Sequence, residues 1–215
     1  MKVTKKQYRG LLLHVRDYFE ASEHTIHKAR NEIKIISSND NSMVIKSFKI
    51  PHFINKIVYT FFRESKAKKS YENSMRIADF VPCPIGYIEF YKFGLIKDSY
   101  FVSENFTYDF TIREPLVKEN FLDKKNIFKA FALFTYTLHE KNIFHLDYSP
   151  GNILIKKLKE GYLFKIVDIN RMKFKKLTLD EKLKNFSKLW AKDEDLETIM
   201  REYAGLINTD EKKMC

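Results

Sequence analysis

The chain has 215 residues, 44% of them hydrophobic and 15% aromatic, which fits one globular unit or two small lobes and argues against a disordered chain. Its two cysteines, Cys83 and Cys215, suggest neither a disulfide framework nor a zinc site and fit a reducing cytoplasm, while Leu11-Leu12-Leu13 is too short for a signal-peptide core and no run approaches a membrane span. The formal net charge of +11 favours polyanions, whether nucleic acid, anionic lipid headgroups or phosphorylated glycans, although solubility alone also accounts for it.

Taken in chain order, Leu11, Leu12, Val15 and Phe19 recur at helical spacing and predict a helix over 4–22. From Thr25 to Phe48 the pattern turns to short strands, with Ser38-Asn39-Asp40-Asn41 as a turn and Met43-Val44-Ile45-Lys46 as the strand that follows it. Phe53 to Phe62 is apolar and aromatic, and Lys66 to Ala78 reads as a helix ending ahead of Pro82 and Pro84. Ile85–Phe90 and Tyr100–Ser103 read as strands around a turn at Gly94. A long helix is predicted over Lys125–Lys141, then a hairpin of Ile153-Leu154-Ile155 and Phe164–Val167 joined through Gly161, then a mostly helical stretch from Leu179 to Leu206. The order is α+β and two-lobed: a small strand-rich N-terminal lobe and a mainly helical C-terminal lobe.

The sharpest chemical signal is His145-Leu146-Asp147-Tyr148-Ser149-Pro150-Gly151-Asn152-Ile153-Leu154. It has the kinase catalytic-loop spacing H-x-D-x-x-x-x-N followed by apolar residues. The Asp must take the proton of an acceptor hydroxyl, while the Asn turns back to hold Mg²⁺. Asp168 ends the apolar strand that follows, where kinases place their metal-binding Asp, and a hard cation prefers carboxylate oxygens. The usual Phe-Gly after it is Ile169-Asn170, so no Phe-based activation switch is expected.

Lys46, ending an apolar strand, matches the Lys that grips the α and β phosphates of ATP. Its acidic partner is expected on the next helix, with Glu72 preferred and Glu64 as the substitute. No glycine occurs between Thr25 and Lys46, so the usual glycine-rich phosphate loop is missing. Counting back from Lys46 places Lys28 and Arg30 at the equivalent turn, where their charge can serve the phosphates in place of glycine amides.

From about His24 to Leu189 the chain resembles the lipopolysaccharide kinase family (Kdo/WaaP type), which has a reduced protein-kinase-like fold. The resemblance rests on Ile26–Lys34, Ser65–Asn73, Pro82–Tyr87, His145–Leu154 and Val167–Arg171. It implies one kinase-like domain over 1–215, with 1–103 as the N-terminal region and lobe and 104–215 as the C-terminal lobe. It further implies ATP- and Mg-dependent phosphorylation of a sugar, Kdo or heptose, in the lipopolysaccharide inner core. Asp147 would be the general base, Asn152 and Asp168 the metal ligands, and Lys46 with Glu72 the phosphate-positioning pair. Glu104 and the amide of Phe106 fall where kinases hold adenine, and Arg171, Tyr148 and Ser149 lie where an acceptor could be touched.

The acceptor would be the core glycolipid, met by a cytoplasmic enzyme lying peripherally on the inner membrane. Lys49, Lys56, Arg63, Lys66, Lys68 and Lys69, interleaved with aromatics between Phe53 and Phe62, suit an anionic lipid surface better than nucleic acid; a solvated helix face is the plainer account. Two alternatives stay open: another small-molecule kinase of the aminoglycoside or choline type, and a basic pseudokinase that binds membrane or nucleic acid as an adaptor.

Overall fold

In the computed structural model residues 1–28, 31–38, 41–49, 59 and 63–213 are described, and the chain forms two compact units, Met1–Phe106 and Thr107–Cys215. The first is built on an antiparallel six-stranded sheet. Its strands are β1 (Lys2–Val3), β2 (Thr25–Lys28), β3 (Asn31–Ser38), β4 (Asn41–Lys49), β5 (Pro84–Lys92) and β6 (Leu95–Glu104), in the order β1-β5-β6-β4-β3-β2. Alternation along β4 sends Met43 and Ile45 to one face and Lys46 and Phe48 to other positions of the pleat, with Phe48 joining a separate cluster.

Met43 and Ile45 meet Leu11, Leu12, Val15 and Phe19 from α1 (Arg9–Leu13) and α2 (Val15–Ala21), together with Ile85, Tyr100 and Val102. The helix predicted over 4–22 is therefore two short helices meeting at His14, after a 3-10 turn at Lys6–Tyr8. The break still lets all four predicted apolar residues reach one cluster. Phe48 instead packs with Ala67 and Tyr71 of α3 (Lys66–Arg76) and with Tyr87 and Phe101. Ser65 caps α3 by accepting from the Lys68 amide at 3.0 Å, and three of the four buried residues of α3 (Ala67, Ser70 and Ser74) are small.

At the other side of the sheet, Gly86 allows β1 to approach: a Cβ there would stand 2.6 Å from both the Lys2 carbonyl and Leu12 Cδ1.

The second unit holds β7 (Phe110–Thr111), α4 (Arg113–Val117), α5 (Lys124–Glu140), β8 (Ile143–His145), β9 (Ile153–Lys157), β10 (Tyr162–Ile166), β11 (Met172–Phe174), α6 (Leu179–Phe186) and α7 (Asp193–Lys213). The hairpin β9–β10 takes β7 as a third strand, and β8 pairs with β11. Ile127, Phe128, Phe131 and Leu138 of α5 are buried, as are Ile199 and Tyr203 of α7, which packs along α5. A capping box, with Thr178 and Glu181 bonded reciprocally, starts α6. No helix among the described residues is long and apolar enough to cross a membrane.

Candidate active site

β8 ends at His145, and the chain turns immediately into the loop that carries Asp147. His145 is 1% exposed, so a charged imidazole would be costly there, and burial pulls its pKa down. Its hydrogen bonds agree with a neutral ring. The Asp147 amide donates to Nδ1 at 3.0 Å, so the proton sits on Nε2, which donates to the Val167 carbonyl at 2.9 Å. One imidazole thus ties the backbone of Asp147 to the residue preceding Asp168.

A second clasp closes the loop from its far end. Asn152 turns its Nδ2 back to the Asp147 carbonyl at 2.9 Å, and the Val167 amide donates to the Asn152 carbonyl at 2.9 Å. Between them Pro150 starts a 3-10 turn, Pro150–Asn152, in which the Asn152 amide bonds to Ser149 O at 2.9 Å. Asp168 follows with φ +56, a left-handed conformation uncommon outside glycine and asparagine-like residues, and its Oδ1 accepts from Asn170 Nδ2 at 2.7 Å. Asp147, Asn152 and Asp168 are thus drawn together around His145, as the loop spacing predicts.

The donor set suits a hard cation. Asp168 offers carboxylate oxygen, and Asn152 offers Oδ1 because its nitrogen is already spent on Asp147. No group of three or more His, Cys, Asp and Glu side chains that could hold a metal occurs among the described residues. Two protein oxygens supplemented by phosphate oxygens are a usual way of holding Mg²⁺.

Behind the loop lies a polar network with no marker in the sequence. Asn185 of α6 donates from Nδ2 to the His145 carbonyl at 2.9 Å, and its Oδ1 accepts from His139 Nε2 at 3.0 Å. That fixes the His139 tautomer, so Nδ1 accepts from the Tyr203 hydroxyl at 2.6 Å. Burial lowers the His139 pKa to about 4, keeping the ring neutral in this relay. These residues come from α5, α6 and α7, and only the fold brings them together.

Tyr148 departs from expectation. It is fully buried, stacked on Phe131 at 6.0 Å and bonded to Thr135 at 2.9 Å, so it is a core residue and does not reach an acceptor. Ser149 is half-buried. Arg171 gives its carbonyl to the Leu146 amide at 3.1 Å and leaves its side chain exposed.

In the first unit, Lys46 stands on β4 directly opposite Phe101, which joins the cluster that α3 covers, so Lys46 and α3 share a sheet face. Its Nζ lies 5.4 Å from the Phe48 ring centroid. Glu72 on α3 has its carboxylate 3.8 Å from Lys2 and 3.9 Å from Lys68, while Glu64 holds Lys68 at 2.7 Å. Glu104 ends β6 with its amide given to the Cys83 carbonyl at 2.8 Å. The amide of Phe106, by contrast, has no partner among the described residues. The Lys28 side chain and all of Arg30 lie outside the described residues, as does most of the basic and aromatic segment around Phe53–Phe62.

No family model matches the sequence, and no curated protein does. A solved structure described as WaaP in complex with acyl carrier protein aligns over 99% of this chain and 98% of its own, with a TM-score of 0.59 and 13% identity. The fold is kinase-like. A likeness at 13% identity establishes that mixed α and β architecture and a distant structural relationship, and it bears out the fold class read from the strand and helix order.

Proposed function

We propose that this chain is an ATP- and Mg-dependent phosphotransferase that phosphorylates a sugar, Kdo or heptose, of the lipopolysaccharide inner core. The observation that carries the reading is the double tie on Asp147: His145 holds its amide and Asn152 its carbonyl. A loop serving only to connect β8 and β9 has no need to fix one half-buried acid from both sides, whereas a general base needs a fixed position.

In this reading Asp147 orients the acceptor hydroxyl and accepts its proton as the oxygen attacks the γ-phosphorus. Asn152 and Asp168 would hold Mg²⁺, which when bound neutralises charge on the phosphate oxygens of ATP. His145 keeps Asp147 and the end of β10 in register through both ring nitrogens. In the first unit Lys46 would offset the α and β phosphates with Glu72 as its acid, Lys28 and Arg30 would add positive charge, and Phe106 would offer its amide to adenine beside Glu104. The glycolipid acceptor and the net charge of +11 together favour peripheral work at the cytoplasmic face of an anionic inner membrane.

The test is transfer of labelled phosphate from Mg·ATP to isolated lipid A–core glycolipid, comparing the wild type with Asp147→Ala. Incorporation should fall by about 10²–10⁴-fold in the variant. A wild type that binds Mg·ATP but labels no glycolipid would redirect the search to aminoglycoside- and choline-like acceptors. One that neither binds nor transfers would favour the adaptor reading, to which the glycine-free stretch Thr25–Lys46 already lends support.

A further inference from the structure

Arg113 opens α4 straight after β7, in a stretch with no chemical motif of its own. The preceding residue is pinned, since the Ile112 amide donates to the Ile153 carbonyl at 3.0 Å, one residue beyond Asn152. The adjacent acid is spent locally: Glu114 Oε2 accepts from the Thr111 amide at 2.9 Å and from the Thr111 hydroxyl at 2.6 Å. Arg113 is exposed, and its guanidinium has no hydrogen-bond or ion-pair partner among the described residues.

That guanidinium nevertheless lies on the Asp147 loop. A Cβ added at Gly151 would stand 3.2 Å from Nη2 and 3.8 Å from Cζ of Arg113. Gly151 is not among the residues with positive φ, so the backbone does not demand glycine at this position. A Cβ there would press on the guanidinium, which would have to give by a few tenths of an ångström. The chain therefore keeps an unneutralised cation seated against the one loop residue that lacks a side chain to push it away.

We propose that Arg113, seated over Gly151, binds an anionic oxygen group of the phosphoryl acceptor, a carboxylate or a phosphate. The inference rests on reading Asp147 as the base for that acceptor. An anionic acceptor brought to Asp147 meets the carboxylates of Asp147 and Asp168, and that repulsion needs a nearby cation to offset it. Guanidinium suits the task because its planar donors pair with carboxylate or phosphate in a bidentate fashion. Arg171, three residues after Asp168 and exposed, also has a side chain without a partner among the described residues and supplies a second cation on the same unit.

Two measurements test this. In the first, arginine side-chain N–H resonances of the wild type are followed during titration with free Kdo, its neutral methyl ester and inorganic phosphate, with Arg113→Lys identifying the Arg113 signal. Saturable movement with Kdo and none with the ester supports a carboxylate site, and movement with phosphate alone supports a phosphate site. A signal unmoved by either anion overturns the proposal.

In the second, Arg113→Gln should raise the KM for lipid A–core glycolipid at least ~10-fold, and Gly151→Ala should act in the same direction, with the KM for ATP unchanged. An unchanged glycolipid KM, or an equal rise in both KM values, also overturns it. A wild type that binds Kdo at Arg113 but transfers no phosphate refutes the kinase reading and leaves the anion site standing.

Discussion

Asn152 donates from Nδ2 to the carbonyl oxygen of Asp147 at 2.9 Å, closing the loop that starts at the candidate base and ends at the candidate metal ligand. The same amide is thereby oriented: with nitrogen committed to Asp147, Oδ1 is the atom left for a cation. The position of the candidate base and the atom left for a cation both depend on one side chain.

Asn152→Asp separates these roles. The variant keeps oxygen for the metal but cannot donate to the Asp147 carbonyl, and sets a carboxylate against that carbonyl instead. Because displacing a reacting group by an ångström can cost about 10²-fold, kcat should fall by roughly that factor with Mg·ATP affinity retained. Asn152→Ala should lose both. Equal kcat in Asn152→Asp and wild type would show that the clasp does not position the base.

The buried histidines predict an acid-sensitive fold. Burial lowers the His139 pKa to about 4 and also lowers that of His145, against about 6.5 in an unfolded chain. The unfolded chain then binds more protons than the folded one below that value. Both contributions are fully present above about pH 6.5 and weaken as pH drops below it; that of His139 is lost as pH falls through about 4, at up to roughly 1.4 kcal/mol per pH unit. Urea unfolding at pH 7, 6 and 5 should show this slope, and His139→Gln should flatten it. An identical slope in the variant would rule His139 out as a source.

How much of this was legible in the sequence depends on the range of the interaction. The Asp147–Asn152 pair and the β9–β10 hairpin are local patterns, and the structure forms both as the spacing predicts. Three preceding apolar residues place Lys46 on a strand, and β4 holds it there. What escaped was contact without local pattern. β7, β8 and β11 have two or three residues each, too few for an alternation to register. His139, Asn185 and Tyr203 are separated by up to 64 positions and meet only when α5, α6 and α7 pack. Arg113 is invisible until the structure shows what lies over Gly151. Tyr148 lies in the loop where an acceptor could be touched, yet its ring fills the core under the loop, a placement that depends on Phe131 and Thr135 of α5.

Tyr148 should therefore govern stability and leave acceptor binding untouched. Tyr148→Phe removes one buried hydroxyl and leaves Thr135 with its bond to the Phe131 carbonyl at 2.9 Å, so the cost should be about 1 kcal/mol. Tyr148→Ala empties a fully buried ring site and should cost about 3–5 kcal/mol. Thermal unfolding gives both values. An acceptor KM raised in Tyr148→Phe with an unchanged Tm would contradict the core assignment.

Lys46 and Glu72 offer a test in the first unit. On the sheet face that α3 covers, Lys46, Phe101, Tyr87 and Lys2 form one row across β4, β6, β5 and β1, three strand spacings or about 14 Å from end to end. Glu72 sits near the Lys2 end of that row, at 3.8 Å from Lys2 Nζ, with its side chain 38% exposed. Ion pairs that long and that wet contribute little, so Glu72→Gln should change stability by less than about 0.5 kcal/mol. Activity is the sharper readout. Lys46→Met should lower kcat/KM for ATP by about 100-fold, as loss of one phosphate-directed cation implies. If Glu72 serves Lys46 during turnover, Glu72→Gln lowers activity alone but adds nothing to Lys46→Met, because the two act as a unit. Glu64→Gln should leave activity unchanged, even though Glu64 makes the shorter contact to Lys68 at 2.7 Å. Additive losses in the double variant would instead assign Glu72 to anchoring β1 and α3.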